Sequence, residues 1–538
     1  MKNANISHHL ESHARLHPDR ILLESTGRKL SCAQLQTAVA HAAGGFASHG
    51  IGPGDTVVLL LPLSVPMYVS MFALQRLGAI PVFLDSWARS HELGHVLMAC
   101  RAKGLVTVGQ GWSLLGEAGD RIPLRFCLGP TDNAGLVDLG TVLAHPSQAP
   151  IAQVDESHTA LVTFTTGSTG KPKGADRSHG FLEAQHRALA RHLDFGDGDA
   201  DLPVFPIFSL HSLASGARTI LPSLDISKSD PSDGQCLLEQ IRECQPTSAT
   251  LSVPLLQALT RVCEETGIQL ELRRIVTGGA PVSRDDLRRL SAVAPQATVC
   301  VLYGSTEVEP MGHLTHHEIL ALPSRAESDP DWVDEGVPVG MLDPSLRGFL
   351  ARLGEEPPMI DGLLQREDWD AREGPGELVV SGEHVCPGYF ADPEATRRAK
   401  LREGDGSLWH RTGDVVRRDT SGMLWLLGRV HNTFQYQGRW HFPVRAEFAL
   451  KKIPGVRHVA WLNVPDSQGQ PHPWAVLVPE NPLSDSLELE DQVRRILACN
   501  GIPVERVVVR ADIPLDARHH AKVEVEALRA LLKEPSSV

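Results

Sequence analysis

Hydrophobic and polar positions along this chain alternate between two periods. Short apolar runs, such as Thr56-Val57-Val58-Leu59-Leu60-Leu61 and Gly104-Leu105-Val106-Thr107-Val108, have the length and β-branched content of buried strands. Between them lie stretches whose apolar residues recur at helical spacing, near Met67–Arg76 and again over Phe181–His192. The β-branched runs Leu251–Val253, Arg274–Val276 and Thr298–Leu302 continue the alternation to about residue 310. Strands alternating with helices predict an α/β fold of layered, mostly parallel sheets. The pattern changes at Pro323, where a region rich in Pro, Asp, Glu and Gly runs to Gly374 before the strand-like Glu377-Leu378-Val379-Val380-Ser381-Gly382. A β-rich subdomain is expected there. Beyond Gly428 the runs at Val456–Val464, Trp474–Val478 and Leu487–Ala498 predict a small α+β domain. The expected division is therefore 1–428 for a large N-terminal domain and 429–538 for a small one.

Composition narrows the function without defining it. With 538 residues, 42% hydrophobic and 22% charged, the chain has material for several cores, about three or four domain-sized units. Its formal net charge of −14 makes it a poor non-specific ligand for nucleic acid or anionic membranes. The N-terminus has no signal-type apolar segment. The longest apolar stretch, Val57 to Leu74, is interrupted by Pro62, Ser64 and Pro66, so strand, turn and helix are expected rather than a membrane span. Nine cysteines without a Cys-x-x-Cys pair suggest buried free thiols in a cytoplasmic protein. Adjacent histidines such as His316-His317 and His519-His520 read as surface features rather than ligands.

The chemistry concentrates in a few segments. After the apolar run Ala160-Leu161-Val162-Thr163-Phe164 comes Thr165-Thr166-Gly167-Ser168-Thr169-Gly170-Lys171-Pro172-Lys173-Gly174. Small residues allow close backbone approach to an anion, the hydroxyls donate hydrogen bonds, and Lys171 and Lys173 add positive charge. On its own such a stretch is either a phosphate cradle or a flexible turn, and its spacing is not that of a Walker A loop. A second segment, Thr277-Gly278-Gly279-Ala280-Pro281, offers backbone that can lie flat against a planar ligand, or a plain strand-to-helix turn. A third, Leu302-Tyr303-Gly304-Ser305-Thr306-Glu307, is expected after the strand Thr298–Val301. It combines an aromatic face with hard oxygens suited to Mg²⁺. Further on, Trp409-His410-Arg411-Thr412-Gly413-Asp414 and Leu424-Trp425-Leu426-Leu427-Gly428-Arg429 supply a carboxylate and a guanidinium, and Ile513 to Lys522 ends on a lysine.

Together and in this order the segments resemble the adenylate-forming superfamily of acyl-CoA synthetases, peptide-synthetase adenylation domains and luciferases. The resemblance covers roughly Thr163 to Lys522. It implies an enzyme that uses ATP and Mg²⁺ to turn a carboxylic acid into an acyl-adenylate and pyrophosphate. It implies that Thr165, Thr166, Gly167, Ser168, Thr169, Gly170, Lys171 and Lys173 hold phosphates. Gly278, Gly279, Ala280, Tyr303, Gly304 and Ser305 would frame adenine. Glu307 with Thr306 would bind Mg²⁺, and Asp414 with Arg429 would bind ribose. Lys522, Thr166 and Glu307 would carry the catalysis. The usual hinge residue, Asp or Lys, is replaced by His431, and the ending Arg518-His519-His520-Ala521-Lys522 is longer than the family's and lacks its glycine. These features, with the mostly apolar segment Asp201 to Leu210 and Ala395 to Lys400, are similar to a fatty-acid ligase-like subgroup that includes olefin-pathway β-lactone synthetases. The implied substrate is a fatty or β-hydroxy fatty acid. The acceptor would be CoA, a carrier-protein thiol or the substrate's own hydroxyl.

Overall fold

The computed structural model describes residues 3–84, 90–130, 135–165, 172–224, 232–324, 334–371, 373–481, 486–515 and 523–533. Two α/β layers form the bulk of the large N-terminal part. In the first, the order is Val137–Asp138, Leu124–Leu128, Gly104–Val108, Thr56–Leu60, Ile80–Phe83, Thr159–Thr165 and Lys173–Ser178, all parallel except the last strand. The Pro-interrupted apolar stretch divides as expected, into the strand Thr56–Leu60 and the helix Val65–Arg76. Ser64 caps that helix by accepting from the Met67 N–H, and Pro66 sits in its first turn, where no intrahelical donor is needed.

The second sheet has eight strands, in the order Val308–Thr315, Thr298–Ser305, Arg274–Gly278, Ser248–Ser252, Ala200–Pro203, Arg218–Ile220, Ile21–Ser25 and Arg28–Ser31. Its core strands are parallel, with Arg274–Gly278 in register between its neighbours from Ile275 opposite Ala249 and Val299. Such strands are buried on both faces, which accounts for their nearly continuous apolar runs. The Pro323–Gly374 region leads into a third, antiparallel sheet of six strands, including Gly376–Gly382, Leu408–Arg418 and Leu424–Arg429.

The C-terminal part has its own core. Strands Val456–Asn463, Pro473–Pro479 and Arg506–Val509 form one sheet, covered by helices Pro443–Lys451 and Ser486–Cys499 around the fully buried Trp461. The indole Nε1 donates to the Pro503 carbonyl at 3.0 Å, so its one polar atom is satisfied inside the core. Trp461→Ala would empty this core, at a cost of about 3–5 kcal/mol. The expected result is an early calorimetric unfolding step confined to the C-terminal part, and a single unchanged transition would disprove this account.

Six cysteines are buried, and all nine are free thiols. One expectation needs correction: His316 is 3% exposed and accepts from the Val299 N–H at 3.1 Å, so it is an interior histidine. It caps no surface but ties the helix His316–Ala321 to the strand beside it. The pair His519-His520 lies outside the described residues.

Candidate active site

The ends of the three sheets of the N-terminal part and the face of the C-terminal part enclose one cleft of about 2860 Å³. Lys173, Gly278, Gly279, Ala280, Tyr303, Gly304, Ser305, Thr306, Glu307, Asp414 and Arg429 all line it. Residues separated by more than two hundred positions in sequence thus share one wall. The strand Thr159–Thr165 returns antiparallel as Lys173–Ser178, with Thr165 opposite Lys173. The segment between them, with Thr166, Gly167, Ser168, Thr169, Gly170 and Lys171, lies outside the described residues, as does Lys522. Leu515 and Val523, which bound the described chain on either side of Lys522, pair with each other and line the cleft.

A bulge aims Asp414. Where Gly376–Gly382 pairs with Leu408–Arg418, Glu377 sits opposite Val415 and Val379 opposite Arg411, so three residues, Thr412, Gly413 and Asp414, span the place of the single Leu378. Gly413 takes φ +71°, which a residue with a side chain resists. Glu377 fixes the bulge by accepting from Arg411 Nη2 at 2.8 Å and from the Gly413 N–H at 3.2 Å. Asp414 sits inside the strand Leu408–Arg418, 5% exposed. Its Oδ2 accepts from the Tyr303 hydroxyl at 2.8 Å and its Oδ1 from Arg429 Nη1 at 2.5 Å. Burial and the Asp414 charge together push the Tyr303 hydroxyl well above its ordinary range, so it remains a donor.

Tyr303, Gly304 and Ser305 lie within the strand Thr298–Ser305 rather than after it, and the turn to Val308–Thr315 falls at Thr306 and Glu307. Glu307 Oε1 accepts from the Tyr389 hydroxyl at 2.7 Å. Burial opposes ionisation of Glu307, but His410, the Tyr389 hydrogen bond and Lys400 outweigh it and hold the carboxyl at about 2. An ionised carboxylate lining the cleft beside the Thr306 hydroxyl is a donor set that fits Mg²⁺.

The two glycines after Thr277 have different reasons. A Cβ on Gly278 would stand 2.4 Å from the Leu302 carbonyl oxygen, so close packing of neighbouring strands excludes a side chain there, not a planar ligand. Gly279, at φ +78° with open space where a Cβ would be, is the one that leaves backbone bare toward the cleft. Gly278→Ala is expected to cost about 1–3 kcal/mol of stability through this overlap. A thermal midpoint equal to that of the unaltered chain would refute it.

Sequence reasoning missed Tyr389 and the buried pair Lys400 and His410. Tyr389 follows the turn residues Pro387-Gly388, a signal that was present, and Lys173 lies over its ring at 5.6 Å. Lys400 and His410 face each other across strands Lys400–Arg402 and Leu408–Arg418, a pairing that no local pattern announces. His431, at the expected hinge, is exposed to solvent, and crowding by the surrounding protein with the nearby Arg429 and Arg529 charges holds its imidazole below the ordinary histidine range. In the facing wall, enclosure pushes the Glu447 carboxyl up to about 7, only partly offset by Lys451 and the Trp461 N–H.

That shift makes stability depend on pH. Below the ordinary carboxylate range both folded and unfolded chains hold the Glu447 proton. Between that range and about pH 7 only the unfolded chain releases it, so the residue lowers stability progressively and by a constant amount above. Glu447→Gln should therefore raise the melting temperature at pH 8 and leave it unchanged at pH 4. An equal effect at both values would contradict the assignment.

Comparison with known proteins agrees with this geometry. The AMP-binding enzyme family matches residues 10–390. The chain is 28% identical over 553 residues to an olefin beta-lactone synthetase of Xanthomonas campestris, covering 97% of this chain and 96% of that protein. It is 28% identical to the one from Stenotrophomonas maltophilia, with 97% of each covered. Among solved structures, an anthranilate CoA ligase in complex with anthranoyl-AMP superimposes with a TM-score of 0.81 at 17% identity, over 98% of this chain and 97% of that one. An O-succinylbenzoate coenzyme A synthetase from Bacillus subtilis, in complex with ATP and magnesium ion, gives 0.76 at 22% identity, over 97% and 99%. With the family match spanning most of the chain, this protein belongs to the AMP-binding enzymes, the acyl-adenylate-forming ligases.

Proposed function

We propose that this chain activates a fatty or β-hydroxy fatty acid with ATP, releasing pyrophosphate and holding the acyl-adenylate in the cleft described above. The observation that carries the reading is the convergence of Tyr303, Asp414 and Arg429 with Glu307 on one cleft wall. In this reading the Asp414 carboxylate, with an oxygen toward each of its present donors, exchanges part of that bonding for the vicinal hydroxyls of ribose. Tyr303 presents its ring to adenine over Gly279 and Ala280. Thr165 to Lys173 grip the triphosphate. A carboxylate oxygen of the substrate attacks the α-phosphorus, the bond to the β-phosphate oxygen breaks, and pyrophosphate leaves. Lys522 offsets charge on the α-phosphate and carboxylate as that bond forms. Glu307 and Thr306 would hold Mg²⁺, which neutralises charge on the phosphates when bound. The 1–428 and 429–538 division, with a pivot near His431, would let the small C-terminal part move over the cleft.

The substrate class is supported by the apolar wall of the cleft. Phe205, Ile207, Phe208, Val276 and Leu302 line it beside Gly278, and Phe208, Val276 and Leu302 belong to one buried cluster. For the second step, full-length similarity to two olefin beta-lactone synthetases favours closure by the substrate's own β-hydroxyl, which displaces AMP. An intramolecular acceptor gains from proximity, with effective molarities that reach about 10⁵ M or more. Transfer to CoA or a carrier-protein thiol is the second reading, supported by CoA ligases among the relatives. Among the described residues no helix is long and apolar enough to cross a membrane.

Mass spectrometry of products tests both steps. With ATP, Mg²⁺ and a β-hydroxy fatty acid but no CoA, the expected products are AMP, pyrophosphate and a compound one water lighter than the acid. A product that forms only with CoA would replace lactone closure by thioester formation. No pyrophosphate from any fatty acid would overturn the substrate class.

A further inference from the structure

We infer that Arg177 is a positioning residue for the magnesium end of the site, acting through Thr306 and Glu307; the inference rests on the reading that these two residues hold Mg²⁺. Arg177 lies on Lys173–Ser178, the strand that follows the phosphate segment. It lines the cleft, yet it is only 2% exposed, and its guanidinium lies over the Phe181 ring at 5.6 Å. Its Nη2 donates to the Thr306 carbonyl at 2.8 Å and its Nη1 approaches Gln185 Oε1 at 3.4 Å. An arginine is charged at every accessible pH, so this anchor does not depend on protonation.

Thr306 and Glu307 form the tip of a hairpin, between Ser305 and Val308, which pair with each other. The tip is held from two sides. On one, Arg177 takes the Thr306 carbonyl. On the other, the Cys386 N–H donates to the Glu307 carbonyl at 2.8 Å, while the Cys386 thiol lies 3.0 Å from both the Asp176 and the Gly388 carbonyls, and the Asp176 N–H donates to the Gly388 carbonyl at 3.0 Å. Asp176 and Arg177 are consecutive, so one strand fixes both anchors. The same strand begins at Lys173, whose ammonium lies over the Tyr389 ring, and Tyr389 in turn holds the Glu307 carboxylate. The strand leaving the phosphate segment and the turn bearing the metal oxygens are therefore one mechanical piece. A metal site needs its ligands held within about 0.5 Å, and residues that orient ligands without touching the metal typically control about 10–100-fold in metal affinity.

The test measures metal binding without turnover. Mn²⁺ replaces Mg²⁺ and is followed by electron paramagnetic resonance in the presence of a non-hydrolysable ATP analogue, with AMP affinity measured separately. Arg177→Met is expected to weaken Mn²⁺ binding about tenfold or more while AMP affinity stays within about twofold, because the Asp414 wall is untouched. Arg177→Lys, which keeps the charge and one donor, should recover part of the loss, and it carries the test if Arg177→Met does not fold. Glu307→Gln is the control and should abolish the Mn²⁺ signal. Wild-type Mn²⁺ affinity in both Arg177 variants, with loss in Glu307→Gln, would overturn the inference alone. Parallel loss of Mn²⁺ and AMP would also overturn it, by showing a general structural role. Retained Mn²⁺ binding in Glu307→Gln would instead overturn the reading of Glu307.

Discussion

Replacing Lys522 by alanine is expected to reduce acyl-adenylate formation about 10²–10³-fold and to leave nucleotide binding within about twofold. The reasoning is electrostatic. As the carboxylate attacks, negative charge gathers between two anionic groups, and a fixed ammonium there stabilises the transition state far more than the ground state. In the proposed reading ATP is held by other groups, Asp414 and the segment Thr165 to Lys173, so its affinity should not depend on this lysine. Pyrophosphate exchange, set beside a direct ATP-binding titration, separates the two quantities. Equal exchange rates in Lys522→Ala and the unaltered chain would remove Lys522 from the reaction, and with it the alignment of the unusual ending Arg518-His519-His520-Ala521-Lys522.

Asp414→Ala has a comparable effect on a different quantity. This carboxylate, itself buried, joins the buried Tyr303 hydroxyl and the half-exposed Arg429 guanidinium, at 2.8 and 2.5 Å, on the cleft wall. In the proposed reading, removing it eliminates charge-assisted bonds to ribose, and it leaves the Tyr303 and Arg429 donors to be satisfied otherwise. At about 1.5–3 kcal/mol for a hydrogen bond to a charged group, AMP affinity should fall by about 3 kcal/mol, roughly a hundredfold. Calorimetric titration with AMP reads this directly. Asp414→Asn, which keeps shape and one acceptor, should fall between the two. An Asp414→Ala chain that folds and binds AMP as tightly as before would show that the ribose lies elsewhere.

The parts of this fold that local forces dictate could be read from the chain itself. Thr56–Leu60 and Val65–Arg76 follow from an apolar run cut by Pro62 and Pro66, and the strand before the phosphate segment follows from five consecutive apolar or β-branched residues. What could not be read depends on contacts between distant segments. The reason for Gly278 is the Leu302 carbonyl of the adjacent strand, and neither residue hints at the other in sequence. The aim of Asp414 comes from a bulge whose excess residues are visible only once Gly376–Gly382 is paired beside it. Lys400 and His410 meet Glu307 from a separate sheet, and Tyr389 from the connection that follows Gly376–Gly382, so their role is a product of topology rather than of motif. Nothing local in the sequence marks Arg177, and only its burial against Phe181 and its bond to the Thr306 carbonyl give it meaning.

The free thiols carry one more consequence. Seven of the nine are withdrawn from the surface to some degree, while Cys236 and Cys499 are exposed. The first lies on the helix Asp233–Cys244 of the large part, and the second ends the helix Ser486–Cys499 of the small part. The molecule thus carries one reactive handle on each side of its cleft, without any engineered cysteine. A donor and acceptor dye attached at these two positions would report, molecule by molecule, whether the distance between the two parts changes as ATP, acid and products are added.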